Sequence, residues 1–474
     1  MKFSKMLISL PVALAMYACG DDKSSAPEPD PLPDNPTILS SASTPDVTPV
    51  DLSSAADVPP PTPSGVSLPA GASVEVSNAM YQIWKNRWVI TLEEEKAGGS
   101  TLDYDLFTNA SAVALITQKT GANTAPARVI WDGGTKNLGA LDGMTTWRGE
   151  AFQPVLQNKL GLSVSEGIGY GMLLAAVHED WTTFNSLWAY NIIARDNSNY
   201  GLMPWRIHSF SKIIDTQAAM DADIDVATSL IIAGAKTGNA LYTNDAVELI
   251  GKLYTSGVHP QTLLILPGET WKSRDVYNLS YFSPAAIKLF AAVDGAHDWN
   301  AVLNANYDYM AKVQAAGAVP LFPDWSNAAG VPVDPENGSA KSSYMLFDKE
   351  SVRIPWRIAW DYYWNQDTRA QAILAAMASF IANSVSYNPE GLPRTSYNYL
   401  TGALSESKTT GLHYTGEYCL MGLGVDQPWI DACYAYFTAG VNAYPMQGYS
   451  GTYFLEILMN LFASLMNGNF VKPF

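Results

Sequence analysis

The chain has 474 residues, 47% of them hydrophobic and 15% charged, a composition that suits a globular protein with a large core and argues against a disordered chain. A formal charge of −17 argues equally against nucleic acid, which needs a cationic face, and leaves a neutral glycan as the better-matched partner. The 14 Trp and 25 Tyr supply flat rings with a polar edge, suited both to large cores and to stacking on sugars.

The first residues read as an export signal. Lys2 and Lys5 precede an apolar run from Met6 to Ala18, too short to span a bilayer, and Cys19 follows at once. Met16-Tyr17-Ala18-Cys19 resembles the bacterial lipobox, which implies cleavage after residue 18, a lipid on Cys19 and a membrane-anchored protein on the cell surface or periplasmic side. Residues 19 to 73 are rich in Pro, Ser and Asp: 11 of the 29 prolines lie between Pro27 and Pro63, and residues 20 to 60 hold eight acids against one base. Such a stretch cannot bury enough apolar surface to offset its conformational entropy, and is expected to be a disordered tether. Beyond the signal only Cys419 and Cys433 remain, expected as two buried thiols although spacing does not decide their pairing.

From Val74 onward the apolar spacing is helical, in Ala79 to Leu92, Gly169 to Val177, Ile224 to Ala235, Pro284 to Ala292, Val352 to Trp364, Ala370 to Ile381 and Tyr453 to Leu465. Ser283-Pro284 offers an N-cap followed by Pro at the first helical position, and Gly238 and Gly468 close helical stretches. The helices tend to pair, which is compatible with a solenoid, a bundle or a ring of hairpins. Long loops are expected over 98–160, 197–215 and 255–281, where binding and catalytic groups usually sit.

Chemistry concentrates in Ser165-Glu166-Gly167-Ile168-Gly169-Tyr170-Gly171-Met172, whose glycines are poor helix material and suggest a tight turn with ligand room beside Glu166. Asp221 and Asp225, four apart in Asp221-Ala222-Asp223-Ile224-Asp225, share a helix face while Asp223 points away. The first segment resembles the SEGxGYGM signature of glycoside hydrolase family 8. Gly201-Leu202-Met203-Pro204-Trp205, Ala219 to Ala227, Asn278 to Pro284, Pro323-Asp324-Trp325, Arg353-Ile354-Pro355-Trp356-Arg357 and Gly468-Asn469-Phe470 resemble further segments in that family's order. Met220 and Val226 depart from the pattern, and the resemblance spans roughly residues 80 to 470.

The resemblance implies an all-α (α/α)6 toroid of six helical hairpins over residues 74–474 and inverting hydrolysis without metal or other cofactor. Its substrates would come from β-1,4-glucan, xylan or chitosan, in that order of preference here. It makes Glu166 the general acid, Asp221 the holder of the sugar at the cleavage point, and Trp205 a stacking platform. An inverting site also needs a second carboxylate about 6.5–9.5 Å away to activate water. Anchoring on Arg353-Ile354-Pro355-Trp356 puts Glu350 in the base position, three residues before Arg353 and on its face if the chain is helical; Asp348, five before, is the alternative. For Glu166 to stay protonated at a helix start, burial against Tyr170 or Trp147, or a nearby anion such as Asp221, must oppose the helix dipole.

Arg353 would orient the base or hold a sugar, and Trp271, Tyr170, Tyr281 and Tyr453, with Tyr449 beside it, are further substrate-binding candidates. The five histidines show no paired metal spacing. A non-catalytic glycan-binding lipoprotein would explain the anchor and the aromatics but not Glu166 and Asp221 in their motifs. Endo action by a monomer is the expected mode.

Overall fold

The computed structural model describes residues 65–97, 102–131, 146–147, 150–151, 162–339, 345–393, 396–404, 412–443 and 453–474. The described residues all belong to one compact unit. The signal, Cys19 and the greater part of the tether lie outside them.

The longer helices are α1 (Val74–Trp88), α2 (Ala110–Thr120), α3 (Ser165–Val177), α4 (Trp181–Asp196), α5 (Met220–Thr237), α6 (Ala240–Gly257), α7 (Pro284–Val293), α8 (Trp299–Ala316), α9 (Ile354–Asn365), α10 (Thr368–Ser384), α11 (Leu412–Met421), α12 (Gln427–Ala443) and α13 (Tyr453–Met466). Every second helix from α3 to α13 touches the next such helix, and α13 returns to α3, so six inner helices close a ring. Each packs against an outer partner: α3 on α4, α5 on α6, α7 on α8, α9 on α10, α11 on α12, and α13 on α1 from the start of the head. This is the (α/α)6 toroid, and it settles the choice among solenoid, bundle and ring. The inner helices are apolar around most of their circumference because they are enclosed; α3 is buried over its whole length and α5 from Met220 to Gly234.

The outer helices α4, α6, α8 and α10 begin at Asp180, Asn239, Asp298 and Asp367, each of whose side chains accepts a backbone N–H of the first turn. Ser283 holds the N-cap place of α7 with Pro284 after it, but its hydroxyl makes no capping bond. Gly238 ends α5 in the left-handed conformation (φ 70°).

Two expectations change. Residues 65–73, assigned to the tether by composition, pack on the head: Val66 is buried, Ala70 N–H donates to Asp431, and Ser73 N–H donates to Asn467 (2.7 Å each). The expected loops also carry structure, with α2 inside the first and a three-stranded antiparallel sheet, β1 (Leu162–Val164), β2 (Pro204–His208) and β3 (Lys212–Ala218), crossing the second. Cys419 and Cys433 are unbridged and buried, on α11 and α12.

Candidate active site

The sheet delivers the carboxylates. β1 ends at Val164 and leads directly into α3, with Glu166 in its first turn; β3 ends at Ala218 and leads into α5, with Asp221 in its first turn. Between them β2 carries Trp205, one position from Arg206, which pairs with Val164. The helices then approach very closely. A Cβ on Gly169 would stand 2.7 Å from the Ala222 carbonyl oxygen, and one on Gly171 would stand 3.0 Å from Val129. These two glycines therefore lie within a helix, Gly169 letting backbones touch and Gly171 making room for packed side chains; they are not the tight turn inferred from the sequence.

Arg353 is the hub. It ends the 3₁₀ turn Ser351–Arg353, which runs without a break into α9. Its Nη1 donates to Glu166 Oε1, to Asp221 Oδ2 (3.0 Å) and to Tyr170 Oη (3.3 Å), and its Nη2 donates to Glu350 Oε2. Asn278 Nδ2 also donates to Glu350 Oε2 (2.8 Å). Four residues on, Arg357 grips both oxygens of Asp225 (2.5 and 2.7 Å), so the i, i+4 spacing of the aspartates on α5 is matched by that of the arginines. Asp223 turns elsewhere and accepts the Met203 N–H (3.1 Å).

Glu166 is 8% exposed and Asp221 1%. Burial pushes the Glu166 carboxyl up to about 8; Arg353 opposes this, while Asp221 and Glu350 add to it. The Tyr170 hydroxyl, through a hydrogen bond, lowers it, a smaller effect than the burial that raises it. Asp221 is likewise raised by burial, to about 6, with Arg353 pulling it down. Of the expected neighbours, Trp147 has its side chain outside the described residues.

Glu350 stands in contact with the arginine hub. The Asp348 carboxylate acts on Asp324 and Glu417, raising both carboxyls. Glu417, on α11, is fully buried and neither of its oxygens has a hydrogen-bond partner; burial, then Asp348 and Asp324, hold its carboxyl well above the usual range.

The aromatic candidates separate. Tyr281 lies under the Arg353 guanidinium (5.5 Å) and its hydroxyl is held well above its ordinary range by burial and by Asp221 and Glu350. Trp325 meets Tyr281 edge-on (6.4 Å) and stacks on Trp271 (5.7 Å, 20°), making a row of rings leading away from the carboxylates. Trp205 is half-buried with the Arg206 guanidinium over its ring (4.3 Å). Tyr170 is enclosed completely, edge-on to Trp356, so its ring is packing behind Glu166 and not a platform for sugar. Tyr453 opens α13 but its side chain, like all of Tyr449, lies outside the described residues. Sequence reading gave no role to Trp325, Asp324 or Asn278, although all three sit in segments it had singled out. No metal-holding group of three or more His, Cys, Asp or Glu occurs among the described residues.

The profile of the family described as Glycosyl hydrolases family 8 matches residues 153–446. The chain is 33% identical over 316 residues to Endoglucanase 2 of Ruminiclostridium josui, covering 65% of this chain and 64% of that protein. It is 36% identical over 227 residues to Endoglucanase C of Ruminiclostridium cellulolyticum, covering 47% of each. The chain thus spans less than two thirds of the length of these relatives. The solved structure of a beta-1,3-1,4-glucanase from Paenibacillus sp. X4 superposes with a TM-score of 0.65 at 22% identity, over 86% of this chain and 96% of that one, a likeness of fold.

Proposed function

The chain belongs to the glycosyl hydrolases of family 8, and from that premise we propose that it is an endo-acting hydrolase that cleaves β-1,4-linked glucan, cellulose or mixed-linkage, with inversion at the anomeric carbon. Glu166 is the general acid and Glu350 the general base. One observation carries this reading: a single guanidinium stands between two carboxyls from different elements, Glu166 on Nη1 and Glu350 on Nη2, with Glu166 buried so that its proton is retained to about pH 8.

Inversion needs one acid that is protonated and one that is ionised, on opposite sides of the scissile bond. Burial with two neighbouring anions supplies the first condition at Glu166. At Glu350, Arg353 and Asn278 both donate to Oε2 and hold the carboxyl group in place. In the reaction Glu166 gives its proton to the leaving glycosidic oxygen while water, losing a proton to Glu350, attacks the anomeric carbon from the other face. Asp221 shares Nη1 of Arg353 with Glu166 and is assigned to accept sugar hydroxyls. The ring row Trp271–Trp325–Tyr281 and the separate Trp205 are the stacking surfaces. Glucan is preferred to xylan on the names of the relatives, and an acidic cleft alone would also suit chitosan. Export and a lipid on Cys19 complete the proposal, supported by the N-terminal pattern.

The test is reducing-sugar release from β-glucan, xylan and chitosan by the wild type and by Glu166→Gln, Glu350→Gln and Asp348→Asn, with the first-formed anomer followed by NMR. Release of the α-anomer from β-glucan, abolished in Glu166→Gln and Glu350→Gln but retained in Asp348→Asn, is the expected result. A wild type that binds glucan without cutting it, or that releases the β-anomer, overturns the reading.

A further inference from the structure

Glu350 occupies the N-cap position of the Ser351–Arg353 turn that continues into α9, yet its side chain makes no capping bond there. An acid in that position ordinarily turns back to accept the orphan N–H groups of the first turn. Here the N–H groups it would accept, those of Val352 and Arg353, are already taken by Asp348 O (2.9 Å) and Glu350 O (3.3 Å), and the N–H groups before them are held from another segment. Asp324 Oδ1, from a segment 24 to 27 residues earlier, accepts the backbone N–H groups of Asp348 (3.2 Å), Glu350 (3.1 Å) and Ser351 (3.0 Å) and the Ser351 hydroxyl (2.8 Å). The two segments are joined again where Asp324 N–H donates to Leu346 O (3.0 Å), and Leu346–Phe347 pairs with Tyr397–Asn398. Asp324 is 8% exposed, so this clamp is built into the protein interior.

We propose that Asp324 is a positioning residue for hydrolysis: it clamps the backbone of Asp348, Glu350 and Ser351, and thereby fixes the turn from which the Glu350 carboxylate points at Arg353 and Asn278, where the attacking water is activated. The inference rests on the reading of Glu350 as base. It divides between two acids the tasks that one residue at the N-cap cannot perform together, since a carboxylate folded back onto its own turn is not available to a water in the cleft. The same clamp explains why Asp348 does not take the base position. Its backbone N–H is held by Asp324 Oδ1 and by Ser351 Oγ (2.9 Å), while its carboxylate acts on Asp324 and the buried Glu417, raising both carboxyls.

The experiment compares Asp324→Ala, which removes the acceptor, with Asp324→Asn, which keeps one oxygen able to accept the same donors. Both are assayed on β-glucan, with kcat normalised to the folded fraction from near-UV circular dichroism. A misplacement of about 1 Å at a catalytic group costs about a hundredfold, so Asp324→Ala is expected to lose about that factor in kcat with KM within about threefold of wild type, and Asp324→Asn to recover most of it. Asp324→Ala with wild-type kcat per folded molecule overturns the proposal, as does a loss that appears in KM alone. Should Asp324→Ala fail to fold, Asp324→Asn decides with Glu350→Asp, which withdraws the carboxylate by one methylene while leaving the clamp. The proposal then requires Asp324→Asn to keep most of its kcat where Glu350→Asp loses it, and falls if Asp324→Asn is as slow as Glu350→Asp. Glu350→Gln is measured alongside. If it retains wild-type kcat while Asp324→Ala is slow, the assignment of Glu350 fails and the clamp stands; if it is inactive and Asp324→Ala is unimpaired, only the clamp fails.

Discussion

Gly169 and Ala222 are in backbone contact: a methyl group on Gly169 would stand 2.7 Å from the Ala222 carbonyl oxygen, so the helices carrying Glu166 and Asp221 cross as closely as main chains allow. The partner atom is backbone and cannot swing aside. Gly169→Ala gains about 1 kcal/mol of helix propensity and meets an overpacking cost of about 1–3 kcal/mol. The net expectation is a lower midpoint of thermal unfolding and a loss of kcat of more than about tenfold, because the helices separate and Glu166 and Asp221 move apart on Arg353. Calorimetry and kinetics on the same preparation check both.

The Glu166 carboxyl is raised from 4.5 to about 8 in the folded protein. A raised acid contributes stability that is complete below about pH 4.5 and is lost as the pH climbs through about 8. Glu166→Gln is permanently neutral and lacks this loss. Its unfolding midpoint relative to wild type is therefore expected to rise between pH 4.5 and pH 8 even though it does not hydrolyse glucan. Parallel thermal scans across that range read the trend; a constant difference would contradict it.

Loss of Arg353 leaves the buried Glu166 and Asp221 and the half-buried Glu350 without their shared cation. Breaking a buried pair by removing one partner costs about 3–5 kcal/mol. Arg353→Met is expected to be destabilised by that order at pH 7 and to recover as the pH falls and the carboxylates protonate. Arg353→Lys keeps the charge but not the planar fork that reaches acids on two sides, so kcat is expected to stay depressed with stability partly restored. Denaturant titrations at pH 5 and pH 7 separate the two effects.

Trp325 lies between Trp271 and Tyr281, so its ring holds the row together. Trp325→Ala is expected to raise KM for β-glucan more than it lowers kcat, by a factor set by stacking contributions of about 0.5–1.5 kcal/mol. Affinity electrophoresis through glucan-containing gels measures the binding directly.

The inner helices other than α11 were legible because their apolar residues recur at helical spacing, and Glu166, Asp221 and Arg353 were legible because they lie in segments of fixed order. Helix α11 escaped the periodicity reading, as did α2, α4, α6, α8 and α12, whose sequences mix polar and aromatic residues where one face meets another helix and the other meets water. The starts of three of them were nonetheless marked by Asp180, Asn239 and Asp298, whose capping role could have been inferred. Gly169 was visible as an oddity, but its reason is contact with a helix some 50 positions on, which no local pattern encodes. Asp324 was hidden for the same cause, since its hydrogen-bond partners lie 24 to 27 residues away.

The ring closes through its most distant parts. Glu456 on α13 forms an ion pair with Arg87 (3.1 Å) and accepts from Trp88 at the end of α1, 368 positions away from the latter, and all three side chains are buried. Helix α1 therefore completes its buried face only when the final inner helix has been made, and a growing chain carries part of that face exposed through nearly the whole of synthesis. Shortening the protein at either end of the head would open the circle at one and the same seam.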